Sequence, residues 1–169
     1  MVTPASIQGS LDADTEYDSA MARAGRFLTL KARTEFEVRD RLLGAGYDPK
    51  VVDRVLDRLR EMKLVDDTDF ARSWIEERMR KKGSGPQLLR AELEGKGIDA
   101  TLIDEAVESA FPDEVARAEE LAAELLPKWS GLSLERQASR LSGALTRKGF
   151  SNEAVQAGLR AVLPPEGWD

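Results

Sequence analysis

The sequence predicts an all-α protein, an elongated tandem array of three three-helix units with about nine helices in total. A pattern of glycine, bulky apolar residue and capping residue recurs three times, and such self-similarity is typical of helical repeats. Only 6% of the 169 residues are aromatic, which favours an aliphatic helical core. We predict a disordered acidic N-terminal tail, three units and a C-terminal tail over residues 1–19, 20–63, 64–111, 112–163 and 164–169.

The repeat centres on Gly46-Tyr47-Asp48, Gly97-Ile98-Asp99 and Gly149-Phe150-Ser151, which lie 51 and 52 residues apart. Glycine favours the left-handed conformation that ends many helices, and Asp or Ser two residues later is a good cap for the next helix. Each copy therefore predicts one helix before the glycine and one after the cap. A third helix is expected ahead of each pair, near 18–31, 67–81 and 113–127.

Apolar residues around each glycine follow the spacing of three and four residues that places them on one face of a helix. Both helices of each pair should therefore turn an apolar stripe inward. The expected inward positions before the glycines are Val38, Leu42, Leu89, Leu93, Leu141 and Leu145, and those after them are Val51, Val52, Val55, Leu56, Leu59, Leu102, Ile103, Ala106, Val107, Ala110, Ala154, Val155, Gly158, Leu159 and Val162.

Helix starts in the first unit carry recognisable caps. Thr34 and Glu37 have the spacing of a capping box, in which each side chain satisfies a backbone N–H of the other residue. Asp48 precedes Pro49. Proline suits the first helical position because an N–H at that position would have no acceptor within the helix, so its absence costs nothing.

The run from Lys81 to Pro86 superficially resembles a phosphate-binding loop. A Walker-type loop needs Lys after its last glycine and follows a buried strand, whereas here the lysines precede the glycines. We instead expect Ser84 or Gly85 to cap a helix that starts at Pro86.

Two groups of acidic residues, Asp66-Asp67-Thr68-Asp69 and Asp113-Glu114, stand just before predicted helices. Carboxylates at such positions cap free N–H groups and stabilise the positive end of the helix dipole. We therefore expect structural caps rather than metal ligands or acid–base catalysts.

The composition excludes several classes of function. The chain has no Cys and no His, which rules out disulfides, Cys/His zinc sites, haem ligation and thiol or imidazole catalysis. No apolar run approaches the roughly 20 residues that a membrane span requires. We expect a cytoplasmic protein that is not an enzyme and needs no cofactor.

The formal net charge of −6 is unevenly distributed. Residues 1–19 carry −4, residues 20–96 carry +4, and residues 97–169 carry −6. Such a basic middle suits phosphates or an acidic protein face. Arg23, Arg26, Arg33, Arg39 and Arg41 add basic residues in the first unit. The candidate partner-binding or DNA-backbone-binding residues are Arg72, Arg78, Arg80, Lys81, Lys82, Arg90 and Lys96.

An ordered set of residues in the second unit resembles the bacterial RecX family of recombination regulators. The set comprises Leu64-Val65-Asp66-Asp67, Phe70-Ala71, Trp74, Arg78, Gly83, Gly85, Leu89, Glu92-Leu93 and Lys96-Gly97-Ile98. Looser similarity extends to Arg33–Val38, to Leu42–Tyr47 and to Lys148-Gly149-Phe150, so the resemblance covers about 20–163.

The resemblance implies a non-enzymatic modulator of the RecA recombinase. Members of that family bind in the groove of RecA filaments on single-stranded DNA and restrain strand exchange, coprotease and ATPase activity. Arg78 and Lys96 are the basic positions that match the family pattern. We expect a monomer whose partner is the RecA filament, with single-stranded DNA contacted weakly or as part of that filament.

A second interpretation is a transcriptional regulator that reads duplex DNA with one helix pair as a helix-turn-helix. No single helix combines dense Arg, Asn and Gln on one face with a clear two-fold partner surface, and the net charge is acidic; both features disfavour it.

Overall fold

A computed structural model of the chain describes residues 4–165, with side chains described from residue 12 onward. Within this range the chain forms nine α-helices and one short 3₁₀ turn, and no strand. The helices are α1 (Pro4–Leu30), α2 (Glu35–Gly44), α3 (Pro49–Glu61), α4 (Asp67–Lys82), α5 (Pro86–Glu94), α6 (Ala100–Ala110), α7 (Glu114–Leu125), α8 (Leu134–Lys148) and α9 (Asn152–Val162), and the 3₁₀ turn covers Leu126–Trp129. The predicted all-α helical repeat is confirmed.

The chain divides into two compact units. Among the described residues, the first contains 4–70 together with 96–98, and the second contains 71–95 together with 99–165. This division falls inside α4 and does not follow the predicted boundaries between three units, which remain a prediction.

Each unit has its own aliphatic core. In the first unit α1, α2 and α3 enclose Ala20, Ala24, Val38, Leu42, Val51, Val52, Val55, Leu56, Leu59 and Val65. In the second unit α7, α8 and α9 enclose Ala118, Leu121, Ala122, Leu125, Leu141, Leu145, Phe150, Ala154, Val155, Leu159 and Leu163.

Left-handed glycines end the second helix of each set, as predicted. Gly46, Gly97 and Gly149 have φ angles of +90°, +71° and +89°. After Gly46 and Gly149 the next N–H reaches back into the helix, from Tyr47 to the Leu42 carbonyl and from Phe150 to the Leu145 carbonyl, each over 3.3 Å. These bonds satisfy carbonyls that a helix end leaves free.

The predicted caps are present at the helices that follow. Thr34 and Glu37 form the complete capping box of α2. Asp48, Asp99 and Ser151 accept from backbone N–H groups at the starts of α3, α6 and α9. The predicted apolar positions before the glycines are fully buried.

The N-terminal expectation is wrong for residues 4–19, because α1 extends back to Pro4. This stretch contacts α3: the Arg54 guanidinium lies 4.7 Å from the centre of the Tyr17 ring and 3.6 Å from Asp14. Glu16 also accepts a 2.7 Å hydrogen bond from the Asp48 N–H. Through these contacts the acidic segment of α1 packs against α3, an interaction that the composition of the segment does not predict.

The ends of the chain lie partly outside the described residues. Residues 1–3 of the predicted N-terminal tail and residues 166–169 of the predicted C-terminal tail are outside them. The last helix ends at Val162, ahead of the Pro164-Pro165 pair, as expected for residues that cannot continue a helix. Within residues 4–165, no helix combines the length and apolar composition needed to cross a bilayer.

We predict that Gly149→Ala destabilises the protein by about 2–4 kcal/mol. Alanine would have to adopt a positive φ, and its Cβ would lie 2.5 Å from the Cβ of Leu88, so backbone strain and overpacking both contribute. Urea unfolding followed by circular dichroism measures the change.

Gly44→Ala is the matched control, because Gly44 has no atom within 4 Å of an added Cβ and no positive φ. It should leave the stability unchanged or raise it by up to about 1 kcal/mol. Equal destabilisation by both variants would contradict the account of this turn.

Candidate functional site: the basic residues of α4 and α5

The seven candidate basic residues do not fall in one compact unit. Arg72, Arg78, Arg80, Lys81, Lys82 and Arg90 belong to the second unit, on α4 and α5, whereas Lys96 belongs to the first. Clustering along the chain is therefore not enough to define a single surface, and each side chain has to be considered by its own contacts.

Arg78 is held within the second unit. Its Nε lies 3.2 Å from Oε2 of Glu92, and its guanidinium lies 4.3 Å from the centre of the Trp74 ring. Glu92 Oε2 also accepts a 2.8 Å hydrogen bond from the Trp74 indole N–H. One carboxylate thus joins α5 to two side chains of α4, which makes Arg78 a structural residue as well as a matched family position.

Two further candidates are neutralised by nearby carboxylates. Lys81 pairs with Glu77 one turn earlier on α4, and Arg90 on α5 pairs with Asp104 on α6. The Lys81 hydrogen bond, followed by the charge of Lys81, lowers the pKa of Glu77. Their positive charges therefore contribute little to a free basic surface.

Lys96 is tied to the capping box of α2. Its Nζ lies 3.1 Å from Oε1 of Glu37, whose other oxygen accepts from the Thr34 N–H. The Thr34 hydroxyl donates a 2.8 Å hydrogen bond to the Lys96 carbonyl. Both charged side chains are about one-fifth exposed, so this is a half-buried ion pair that fixes the Lys96–Ile98 segment onto the first unit.

The ion pair also sets the ionisation of Glu37. Burial by itself would raise the pKa of Glu37, but the Thr34 N–H bond and the Lys96 ammonium outweigh burial and lower it from its ordinary value. The carboxylate is therefore the stable form in the folded protein.

Exposed positive charge remains at the end of α4. Arg80 and Lys82 are exposed and form no ion pair with any described residue. Arg72, which lies earlier on α4, is also exposed, but it already has an interaction partner. Of the seven predicted residues, Arg80 and Lys82 are the ones that the structure leaves available for a partner's negative charge.

The Lys81–Pro86 loop connects α4 to α5 and packs against the α8–α9 turn within the second unit. Gly85 is the cap of α5 and Pro86 its first residue, as predicted. The N–H groups of Gly85 and Gln87 donate to the carbonyls of Lys148 and Gly149, over 2.7 and 3.0 Å. Since these donors already bind protein carbonyls, they are not a phosphate cradle.

Lys148, which was not among the predicted candidates, also contacts this loop. Its ammonium donates to the Lys82 carbonyl at the end of α4. Burial, and to a lesser extent the charge of Lys128, lowers the pKa of Lys148. The Lys148-Gly149-Phe150 similarity was the available sequence signal for this position.

The acidic groups before α4 and α7 act as caps, as expected. Asp66 accepts from the Asp69 N–H over 3.0 Å, and Asp113 accepts from the Ala116 N–H over 2.9 Å. Burial raises the pKa of Asp67, which accepts from the Glu35 N–H. No metal-binding group of His, Cys, Asp or Glu side chains occurs among the described residues.

The fold and these contacts define a helical-repeat protein that presents exposed charge on a scaffold of capped helices. Models of the first and second three-helix domains of RecX match residues 20–59 and 66–107. The regulatory protein RecX of Mycobacterium sp. (strain JLS) is 39% identical over 163 residues, covering 88% of this chain and 85% of that protein. The RecX protein of Streptomyces lividans is 34% identical over 153 residues, covering 90% and 81%. The chain belongs to the RecX family of regulatory proteins.

Two solved structures have the same fold. The crystal structure of RecX from Lactobacillus salivarius matches with a TM-score of 0.76 and 23% identity, covering 86% of this chain and 96% of that one. A second crystal structure of a regulatory protein RecX matches with a TM-score of 0.74 and 24% identity, covering 94% and 78%. The matched relatives are regulatory proteins RecX, and the chain accordingly belongs to a family of regulatory proteins.

We predict that Glu37→Gln lowers the free energy of unfolding by about 1 kcal/mol at pH 7. Gln can still accept from the Thr34 N–H, so the variant removes chiefly the charge that Lys96 neutralises. Because the folded protein lowers the pKa of Glu37 below 4.5, the stabilisation is present above pH 4.5 and is lost as pH falls through the folded-state pKa.

Urea unfolding of the wild type and variant at several pH values measures this difference. Glu61→Gln is the control, because Glu61 makes an exposed i,i+3 pair with Arg58 that should contribute less than about 0.5 kcal/mol. A Glu37→Gln effect as large at pH 3 as at pH 7 would contradict the role assigned to this charge.

Proposed function

We propose that the protein binds filaments of RecA on single-stranded DNA and inhibits their extension, and with it ATP hydrolysis, strand exchange and coprotease activity, in recombination and DNA repair. The observation that carries the proposal is membership of the RecX family over nearly the whole chain, at 39% identity to a regulatory protein RecX. The implied site of action is the cytoplasm, and the implied active form is the monomer.

The surface assigned to the filament includes the end of α4. Arg80 and Lys82 are exposed and unpaired among the described residues, so a partner's carboxylates or phosphates can approach them without first breaking an internal ion pair. Arg78, Lys81, Arg90 and Lys96 are assigned a supporting role, since each is engaged with a carboxylate. An encounter driven by such charges weakens as salt concentration rises.

Charge reversal at Arg80 and Lys82 tests this assignment. We expect Arg80→Glu/Lys82→Glu to require about tenfold more protein than the wild type to inhibit RecA ATP hydrolysis on single-stranded DNA, because two favourable charges become repulsive. Far-UV circular dichroism should be unchanged, since neither side chain supports the core.

Arg136→Glu/Arg140→Glu is the matched control. Both arginines are exposed on α8 and form no ion pair among the described side chains, so the change in net charge is the same. Equal loss of inhibition in both double variants would indicate a general charge effect and remove the α4 end from the assigned surface.

No effect of the wild type on hydrolysis, together with sequence-selective duplex binding, would contradict the proposed function in favour of a transcriptional regulator.

A further inference from the structure

Residues 12–18 of α1 form a strongly acidic segment. They contain no basic residue and four carboxylates, which belong to Asp12, Asp14, Glu16 and Asp18. The first and third of these acids lie four positions apart, as do the second and fourth, and like charges at this spacing destabilise a helix. The helical form of this part of α1, which we call the 12–18 segment, therefore depends on contacts outside α1.

The 12–18 segment finds these contacts on the first two turns of α3. The Arg54 guanidinium lies 3.6 Å from the Asp14 carboxylate and 4.7 Å from the centre of the Tyr17 ring. Glu16 accepts a 2.7 Å hydrogen bond from the N–H of Asp48, the N-cap of α3. A carboxylate at this place also stabilises the positive end of the helix dipole. The segment thus lies on α3 as a complementary acidic ligand would.

These contacts are exposed and incompletely packed. No residue of the 12–18 segment is buried, whereas Ala20 further along α1 is fully buried. The side chains of Asp14 and Arg54 are 65% and 52% exposed, and an ion pair so open to water contributes little. A cleft of about 460 Å³ remains beside the segment, with Lys50, Val51 and Arg54 on its α3 wall. The segment can therefore leave α3 without taking any of its own side chains out of the core.

The remainder of α1 is anchored more firmly. The hydroxyl groups of Ser19 and Tyr47 share a 2.8 Å hydrogen bond. Ala20 and Ala24 belong to the core of the first unit. Helix α1 thus has a packed part that begins near Ser19 and an acidic part that is held mainly by charge, so the acidic part can move while the packed part stays in place.

The surface under the 12–18 segment is basic. Lys50 and Arg54 lie four positions apart on α3 and so project from the same face of that helix. Lys50 is exposed, lines the cleft and forms no ion pair with any described side chain. We call these two residues the α3 basic face. The ligand that this face holds in the structure is a helix with carboxylates and an aromatic ring, which indicates the chemistry of an external ligand that could replace it.

We propose that the 12–18 segment is an intramolecular competitor that covers the α3 basic face, and that an acidic helix of a protein partner displaces it. This inference rests on the proposed function for the identity of that partner, which is then the protein component of the RecA filament. A competitor lowers the apparent affinity for the partner by the fraction of molecules in which the face is free. The protein therefore inhibits filaments less strongly than its basic surface alone would allow.

Asp14→Ala/Glu16→Ala, the release variant, tests the competition in the full-length protein. It removes both carboxylates that contact α3, while alanine preserves the helix propensity of the segment. Half-inhibition of RecA ATP hydrolysis on single-stranded DNA should require about fivefold less of this variant than of the wild type. This factor corresponds to a segment that covers the face in about four-fifths of wild-type molecules. Unchanged potency would overturn the inference.

Asp18→Ala/Glu108→Ala is the matched control. Asp18 is exposed within the 12–18 segment and forms no ion pair with a described side chain, and Glu108 is an exposed acid on α6. The control changes the net charge by the same amount as the release variant, and its potency should stay within about twofold of the wild type. An equal gain in both double variants would indicate a general charge effect and overturn the inference. Urea unfolding confirms that the proteins compared are folded.

Hydrogen exchange measured by mass spectrometry distinguishes displacement from ordinary contact. In the free release variant the amides of residues 12–18 should exchange at least about threefold faster than in the wild type, with residues 20–30 unchanged; equal rates would show that the segment is not held by α3. Binding of the wild type to RecA filaments should also speed exchange at residues 12–18, because a displaced helix loses its protection. Slower exchange there would show that the segment itself contacts the filament, and would overturn the inference.

The gain in potency should depend on the α3 basic face. Adding Lys50→Gln/Arg54→Gln to the release variant should abolish the fivefold gain, because the uncovered charges are then absent. Adding Arg136→Gln/Arg140→Gln, at two exposed arginines of α8, should preserve the gain. A gain that survives the first addition would remove the α3 basic face from the inference and overturn it.

A parallel titration identifies the class of ligand. The release variant and the control should bind a fluorescent 30-mer of thymidine with equal affinity, since both have lost two negative charges. A fivefold advantage of the release variant on this naked strand would assign the uncovered face to nucleic acid and overturn the inference. The proposed function fails if neither the wild type nor any variant inhibits RecA, whereas this inference alone fails if all of them inhibit with equal potency.

Discussion

The left-handed glycine turn is the constraint on which the rest of this structure depends. Gly46, Gly97 and Gly149 each reverse the chain at a positive φ. In each turn the residue after the glycine is bulky and apolar, and the residue after that caps a new helix. At Gly46 and Gly149 the two helices that flank the turn bury their apolar residues in the same core. Because a side chain at this φ costs about 1–2 kcal/mol, the glycine determines where each helix pair closes.

Gly149 shows how such a turn also organises packing. Its carbonyl and that of Lys148 accept from the N–H groups at the start of α5, and an added Cβ would meet Leu88. The absence of a side chain therefore allows the α8–α9 turn to approach α5 within hydrogen-bonding distance. Gly158 has a similar role in α9, where an added Cβ would lie 3.2 Å from the Ala118 carbonyl of α7. The close packing of small residues explains how the second unit achieves a dense core with few aromatic side chains.

The sequence was sufficient to predict the helix content, the caps and most of the buried stripe, because these depend on local spacing and on the conformational preferences of Gly, Pro and capping side chains. It was misleading for residues 4–19, where Tyr17 and Glu16 of helix α1 contact residues 37 and 32 positions away. It was also a weaker guide to the candidate site. Counting charges along the chain could not reveal that Glu92 and Glu37 engage Arg78 and Lys96 across 14 and 59 positions, or that Arg39 pairs with Asp53 across 14 positions.

The proposed engagement of RecA filaments depends on exposed, unpaired basic residues on a capped helical scaffold. The most direct measurement is co-sedimentation of the wild-type protein with RecA filaments preassembled on single-stranded DNA with a slowly hydrolysed ATP analogue, compared with the same DNA alone. The account predicts that the protein pellets with filaments at concentrations at which it leaves naked DNA largely unbound at physiological salt. Equal recovery with naked DNA and with filaments, or recovery with neither, would contradict it.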